Sequence, residues 1–439
     1  MENVIELSSS THNAGRLTLH PNLARSFGLK RQTKKRIRFG SKAVQATIYL
    51  SKHLPQNKAS LSTDILDKLS LPQHCSLEIT NRGDEILIGP FIGLLVGDEQ
   101  DSIDNQLNNL LDYLFHYREI RGAIMAFSLE NVDKVNLTMQ GYLFNPKTKK
   151  WEQGIFPYPS SIFVMSTSVS SDWADHFQAI IGNSFFNHSR LNKWDAHKRL
   201  ASSIGIKNYL PDAMLHGKPK DFYWFLKKFS TVDVKSIKME DRSPIKVILK
   251  DKNNMLISNP NTNEIKNYSF YSRGQAYSVF DKYFHAGDYM IQESIDVPGY
   301  QNIEFRVLIV KDKWGKWQAK GIFTREKDSE NLSKFISPIV KLEKEHLKDL
   351  LQRGDVYISM VYQEIIYIAI EAVEALEDSD SNLANAAVDM VIGEIGDIWI
   401  SNVNHCHPSH EIALVAGYPE VYYEILKTNM LYARKLAGF

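Results

Sequence analysis

The chain predicts a mixed α/β (α+β) protein in three parts: a β-rich N-terminal module over residues 1–97, an α/β layer over 98–184, and a larger region of helices and strands over 185–439. Three observations predict it. Short runs of alternating apolar and polar residues, parted by turn signals, fill the first part. A strand, an amphipathic helix and two further strands follow, which is the pattern of an α/β layer. The last part closes on two apolar strands that turn at Gly396-Asp397, a hairpin signal.

In the first part, residues 17–20, 36–39, 44–50 and 76–79 alternate as half-buried strands do. Phe27-Gly28 and Asn81-Arg82-Gly83-Asp84 supply turns. The basic cluster Lys30, Arg31, Lys34, Lys35, Arg36 and Arg38 reads as a solvated loop and strand face, because no aromatic residues interleave it. Residues 85–97 read as one buried strand with a glycine-rich exit; it lacks the Lys-Ser/Thr ending of a P-loop. After Asp101-Ser102, Ile103, Leu107, Leu110, Leu111 and Leu114 keep helical spacing. Strands over 122–127 and 135–144 complete the second part.

From Phe185 a helix is expected over 191–203, ended by Leu210-Pro211-Asp212, and another over 221–229. Strand patterns follow at 231–235, 245–249, 267–271, 289–295, 303–310 and 317–325, then two helices within 339–377. The last helix starts near Pro419, which suits a first helical turn.

A chain of 439 residues is long enough for several subdomains with a substantial core. Its composition, 43% hydrophobic and 23% charged, is that of an ordinary globular protein. A formal charge of +1 gives no global field to recruit nucleic acid or a membrane surface, so no nucleic-acid partner is expected. Cys75 and Cys406 offer no disulfide framework and fit a reducing compartment. The first residues lack a basic stretch followed by an apolar core. The longest apolar run, 357–376, is broken by Gln363, Glu364, Glu371 and Glu374, so no membrane span is expected. These features predict synthesis in the cytoplasm.

The hairpin carries the chemistry. Asp389 lies on its first strand, and Asn402 and Asn404, two apart, share a face of its second. An acid followed thirteen residues later by an oxygen-bearing pair is the layout of a hard-cation site, of the kind that holds Mg²⁺ against nucleotide phosphates. Asn404-His405-Cys406-His407-Pro408-Ser409-His410 invites a zinc reading, but neighbours on an extended segment point in opposite directions and no second ligand pair is evident. Cys406 reads as a bystander thiol.

Taken in order, several fragments match one family. They are Ile88-Gly89-Pro90-Phe91-Ile92-Gly93, Phe186-Asn187, Leu191-Asn192-Lys193-Trp194, Leu210-Pro211, Val232-Asp233-Val234-Lys235, Tyr289-Met290-Ile291-Gln292, Glu304-Phe305-Arg306-Val307-Leu308-Ile309 and Ile398-Trp399-Ile400 with Asn404. The chain resembles the YheC/YheD family of endospore coat-associated proteins, which carry an ATP-grasp fold, and the resemblance spans nearly its whole length. It implies an ATP-grasp-like pair of subdomains over 185–439 with a nucleotide cleft between them. It further implies ATP and Mg²⁺ as cofactors, spore coat proteins as partners, and association with the spore coat. Carried over position by position, Lys193 and Lys235 match phosphate-side lysines, as suits a compact ammonium. Gln292, Glu293 and Ile295 match the adenine slot. Arg306 matches the catalytic arginine that faces phosphate or acyl phosphate, with Glu304 in place of an Asp. Asp389, Asn402 and Asn404 match the metal ligands.

The chain departs from the family pattern at four places. Asn402 stands where a Glu is normal. Residues 236–244 contain no glycine where a glycine-rich phosphate loop is usual. The usual Tyr-Asn-Arg is replaced around 161–165, and Glu330 to Phe335 replace a second glycine-rich loop. Two readings remain open: a degenerate ATP-grasp protein that binds and assembles, or an active ATP-dependent carboxylate–amine ligase working through an acyl phosphate.

Overall fold

Pro90 divides what reads as one strand over 85–97. It has no N–H to give a ladder, and Glu85–Gly89 pairs within one sheet while Phe91–Gly97 enters the next. The computed structural model describes residues 6–10, 14–166, 169–189, 191–238, 244–259, 261–295, 303–326, 340–342, 344–377, 382–393, 396–405 and 408–439. Residues 239–243, the replaced loop Glu330 to Phe335, most of the turn-rich stretch 378–382, and Cys406 with His407 lie outside them.

Among the described residues the chain builds four sheets. The first is seven-stranded and holds Arg16–Leu19, Lys34–Phe39 and Lys42–Leu50, where the alternating patterns expect strands. Part of the basic cluster is ion-paired: Arg38 grips Glu85 through Nε and Nη2, both at 2.8 Å, and Arg36 meets Glu85 at 3.2 Å. The second sheet has six strands and is parallel from Ala123–Asp133 through Phe91–Gly97 and Ser161–Val164 to Phe185–Phe186. Phe91–Gly97 is buried along its whole length, as a parallel strand covered on both faces must be. The expected helix over 101–114 is broken into Gln100–Asp104, Leu107–Leu110 and a tighter turn, Leu111–Leu114.

Two antiparallel sheets form the C-terminal region. One runs Ala213–Leu215, Tyr289–Glu293, Thr231–Ser236, Ile245–Leu249, Asn254–Asn259, Glu264–Ser269. Val232, Val234, Val247 and Ile291 bury one face of it against the helices Pro219–Phe229 and Arg273–Tyr283. The other runs Val340–Lys341, Trp317–Glu326, Ile303–Lys311, Asn385–Ile392, Ile398–Asn404. Phe305, Val307, Ile309, Val388 and Met390 bury one face of that sheet against the helix Asp355–Leu376. This helix is long and apolar enough to cross a membrane by length and composition alone. Its stripe of Ile358, Val361, Ile365, Ile368, Ala372 and Leu376 is spent on the sheet.

The helix Pro419–Leu436, with proline in its first turn, packs on the opposite face through Val421, Tyr422, Ile425 and Leu426. It also ties the first half of the chain to the second. Arg434 is buried against Glu78 by two bonds, 2.6 and 2.9 Å, and donates to the Ile120 carbonyl at 3.0 Å.

Candidate functional site

Alternation decides which side chains the C-terminal sheets leave for a site. With Val232 and Val234 turned to the helices, Asp233 and Lys235 point from the opposite face of the same strand. The neighbouring strand contributes Gln292 on that side, since Ile291 packs with the helices. On the second sheet, Phe305 and Val307 face the helix Asp355–Leu376, which leaves Glu304 and Arg306 on the other side.

The hairpin joins this face through an irregularity. Met390 pairs with Ile400, but Asp389 pairs with Asn402, so Ser401 is an extra residue, a β-bulge. Beyond it Val403 packs toward the helix cluster while Asn402 and Asn404 share the face of Asp389. The turn forms near the expected Gly396-Asp397: the Gly393 amide donates to the Asp397 carbonyl at 2.8 Å, and Gly396 has a φ of +87°, which glycine adopts without strain.

Two linked clusters result. In the first, the Lys235 ammonium donates to the Gln292 Oε1 and to the carbonyl of the bulged Ser401 at 2.7 Å, bridging the two sheets. The Ser401 hydroxyl donates to the buried Glu304 carboxylate at 2.8 Å. In the second, Arg306 holds Asp389 in a two-point grip, Nε to Oδ1 at 2.7 Å and Nη2 to Oδ2 at 2.9 Å, with both residues buried. Asn402 turns its amide nitrogen to the same Asp389 Oδ2 at 3.3 Å. The planar guanidinium matches a carboxylate edge to edge, the strongest geometry for such a pair.

Lys193 lies near the strand of Lys235 through its backbone. It opens the helix Lys193–Ser202, capped by the Asn192 side chain on the Asp195 amide at 2.9 Å, and its own amide donates to the Ile237 carbonyl two residues past Lys235. His197, one turn on, stacks on Trp194. Burial and the nearby Lys235 charge push its pKa down to about 4.

Of the residues the sequence singles out, Lys235 and Gln292 thus meet in one cluster and Arg306, Asp389 and Asn402 in the other, the two adjoining where Ser401 precedes Asn402. Glu293, next in its strand, turns the other way and accepts from the Asp212 amide at 3.4 Å. Ile295 lies half-buried just past the strand end. Sequence reasoning missed Ser401, which joins the first cluster, and His197, which feels the Lys235 charge. A bulge leaves no periodic signal, and a histidine on a helix is recognised only by what packs on it.

As arranged, the hairpin donors are a poor match for a resident divalent cation. Mg²⁺ relies on one or two carboxylates alongside phosphate and water. Asp389 has both oxygens on Arg306, and Asn402 presents a donor to Asp389. Among the described residues no group of three or more His, Cys, Asp or Glu is placed to hold a metal.

A family model described as YheC/D like ATP-grasp matches residues 182–436, more than half of the chain. No curated protein matches it. Among solved structures it is similar to the D-alanine–D-alanine ligase from Coxiella burnetii, at 11% identity and a TM-score of 0.40 over 78% of this chain and 93% of that one. It is similar to the ATP-grasp ligase PsnB, solved with a phosphomimetic variant of its minimal precursor, Mg and ADP, at 11% and 0.40 over 77% and 98%. A third is the ADP complex of PurK, an N5-carboxyaminoimidazole ribonucleotide synthetase, at 11% and 0.35 over 57% of this chain; the chain spans 55% of that enzyme.

Proposed function

The chain belongs to the YheC/D-like ATP-grasp family, and from that premise we propose that it is a nucleotide-binding member that has lost ligase turnover. The observation that carries this reading is the state of Asp389. The one carboxylate among the three hairpin positions is closed by Arg306, and Asn402 adds no charge beside it. Phosphoryl transfer rests on positioning and on neutralising charge at the transferred group. An arginine committed to Asp389 and a missing acid weaken both.

Binding places smaller demands on the site. Lys235 and Lys193 would hold phosphate oxygens, and Gln292 and the strand end at Ile295 would line the base. The proposal extends to a role as a binding component in spore coat assembly, which the sequence resemblance supports; a fluorescent fusion that stays away from the coat of sporulating cells would count against that part.

The test is calorimetric titration of ATP into the full chain, with ADP release measured against a panel of acids and amines. Binding with negligible turnover is expected. Lys235→Ala should weaken binding by about 1–3 kcal/mol, the scale of a charge-assisted contact. Robust turnover by the unmodified chain would favour the carboxylate–amine ligase reading instead.

A further inference from the structure

A divalent cation serves an ATP site in which carboxylates and phosphates would otherwise repel one another. Two carboxylates beside the hairpin are hydrogen-bonded: Asp389 by the Arg306 guanidinium at 2.7 and 2.9 Å, which offsets its charge, and Glu304 by the neutral Ser401 hydroxyl at 2.8 Å. The Arg306–Asp389 pair is close to electrically neutral as a unit, and Asn402 and Asn404 carry no charge. Lys235 reaches between the sheets to two neutral oxygens, Gln292 Oε1 and the Ser401 carbonyl. An anion can replace either of these as acceptor with a gain in Coulomb energy.

The loss of the acid at position 402 therefore does two things at once. It removes a ligand for the metal, and it removes one of the negative charges that the metal would offset. Resting on the reading that this cleft takes a nucleotide, we infer that it binds the nucleotide as the free polyphosphate anion, without a divalent cation. Lys235 and Lys193 supply positive charge that a metal ion would otherwise bring. Freeing Asp389 for a metal would mean breaking a buried two-point ion pair, which leaves an uncompensated charge on Arg306 in the same place.

The experiment is titration of ADP and of ATP into the full chain in excess EDTA and again in saturating Mg²⁺. Affinity in EDTA is expected to equal or exceed that in Mg²⁺, within about threefold, because Mg²⁺ bound to the polyphosphate lowers the negative charge that the lysines attract. A loss of about tenfold or more in EDTA, with binding intact in Mg²⁺, overturns the inference and leaves the nucleotide reading standing. Absence of binding in both conditions takes down that reading and the inference with it. Asn402→Glu restores a carboxylate and is expected to weaken binding in EDTA by about tenfold, with recovery in Mg²⁺. If its EDTA affinity matches the unmodified chain, the missing charge is not the cause. A readout that needs no nucleotide is Mn²⁺ titration followed by electron paramagnetic resonance: the unmodified chain should leave the free-ion signal unchanged, and its quenching by one bound ion would contradict the inference.

Discussion

Ser401 sits where the hairpin register slips, between the Met390–Ile400 and Asp389–Asn402 pairs. Strict alternation from Ile398 and Ile400 would send Asn402 and Asn404 toward the helix Asp355–Leu376. One extra residue reverses that and frees the Ser401 carbonyl for Lys235. His197 is a second residue whose surroundings decide its chemistry. Its pKa falls from 6.5 to about 4, first through burial and then through the Lys235 charge. On acidification the unfolded chain takes up this proton before the folded one does. Its contribution is therefore complete above pH 6.5 and is lost as the pH falls through about 4. The full window is worth about 2–3 kcal/mol, discounted for the part of the ring still near solvent. Urea unfolding between pH 7.5 and 4.5 should show this slope, and His197→Gln should flatten it. Identical slopes would mean that other groups carry the acid sensitivity.

At the level of elements, the helix Asp355–Leu376 works by closeness. Ala369 and Ala372 have no exposed surface and lie among Val307, Ile309, Val388 and Met390. The small side chains let the helix sit down on the sheet whose far face carries Arg306 and Asp389. Ala372→Leu should overpack this seam and cost about 1–3 kcal/mol in denaturant unfolding. The exposed Tyr367, replaced by Ala, should stay within about 0.5 kcal/mol. Equal effects at the two positions would show that the seam has slack. Most elements of this region were legible from local pattern: the strand over 245–249 matches Ile245–Leu249, and the last helix begins at Pro419 as expected. The single strand expected over 85–97 is divided into two, because its run of apolar residues hides the one backbone donor that Pro90 lacks. The strands Lys58–Ser62 and Asn254–Asn259 escaped notice because short polar-rich strands owe their pairing to neighbours more than to composition.

Across the whole molecule, the C-terminal helix acts as the tie. Arg434 meets Glu78 across 356 positions of sequence, the Phe439 ring lies against Gly89, and Arg82 donates to the Gly438 carbonyl at 2.9 Å. Glu78→Ala leaves Arg434 buried without its counter-charge, which should cost about 3–5 kcal/mol. Pairing Glu78→Leu with Arg434→Met should cost much less, because both charges leave together; a double variant as unstable as the single one would mean that packing, not charge, makes this contact. By itself the sequence determined the α/β class, the family and the pattern of most elements, and it supplied the residue types of the candidate site. Hydrophobic period and motif order are local properties, and burial writes them directly into the chain. Only the tertiary structure decided that Arg306 closes on Asp389, 83 positions away, and that Lys235 crosses to Ser401, 166 away. Which charge meets which depends on strand order, register and a single bulge, and a buried carboxylate reads the same in sequence whether its partner is a metal ion or an arginine.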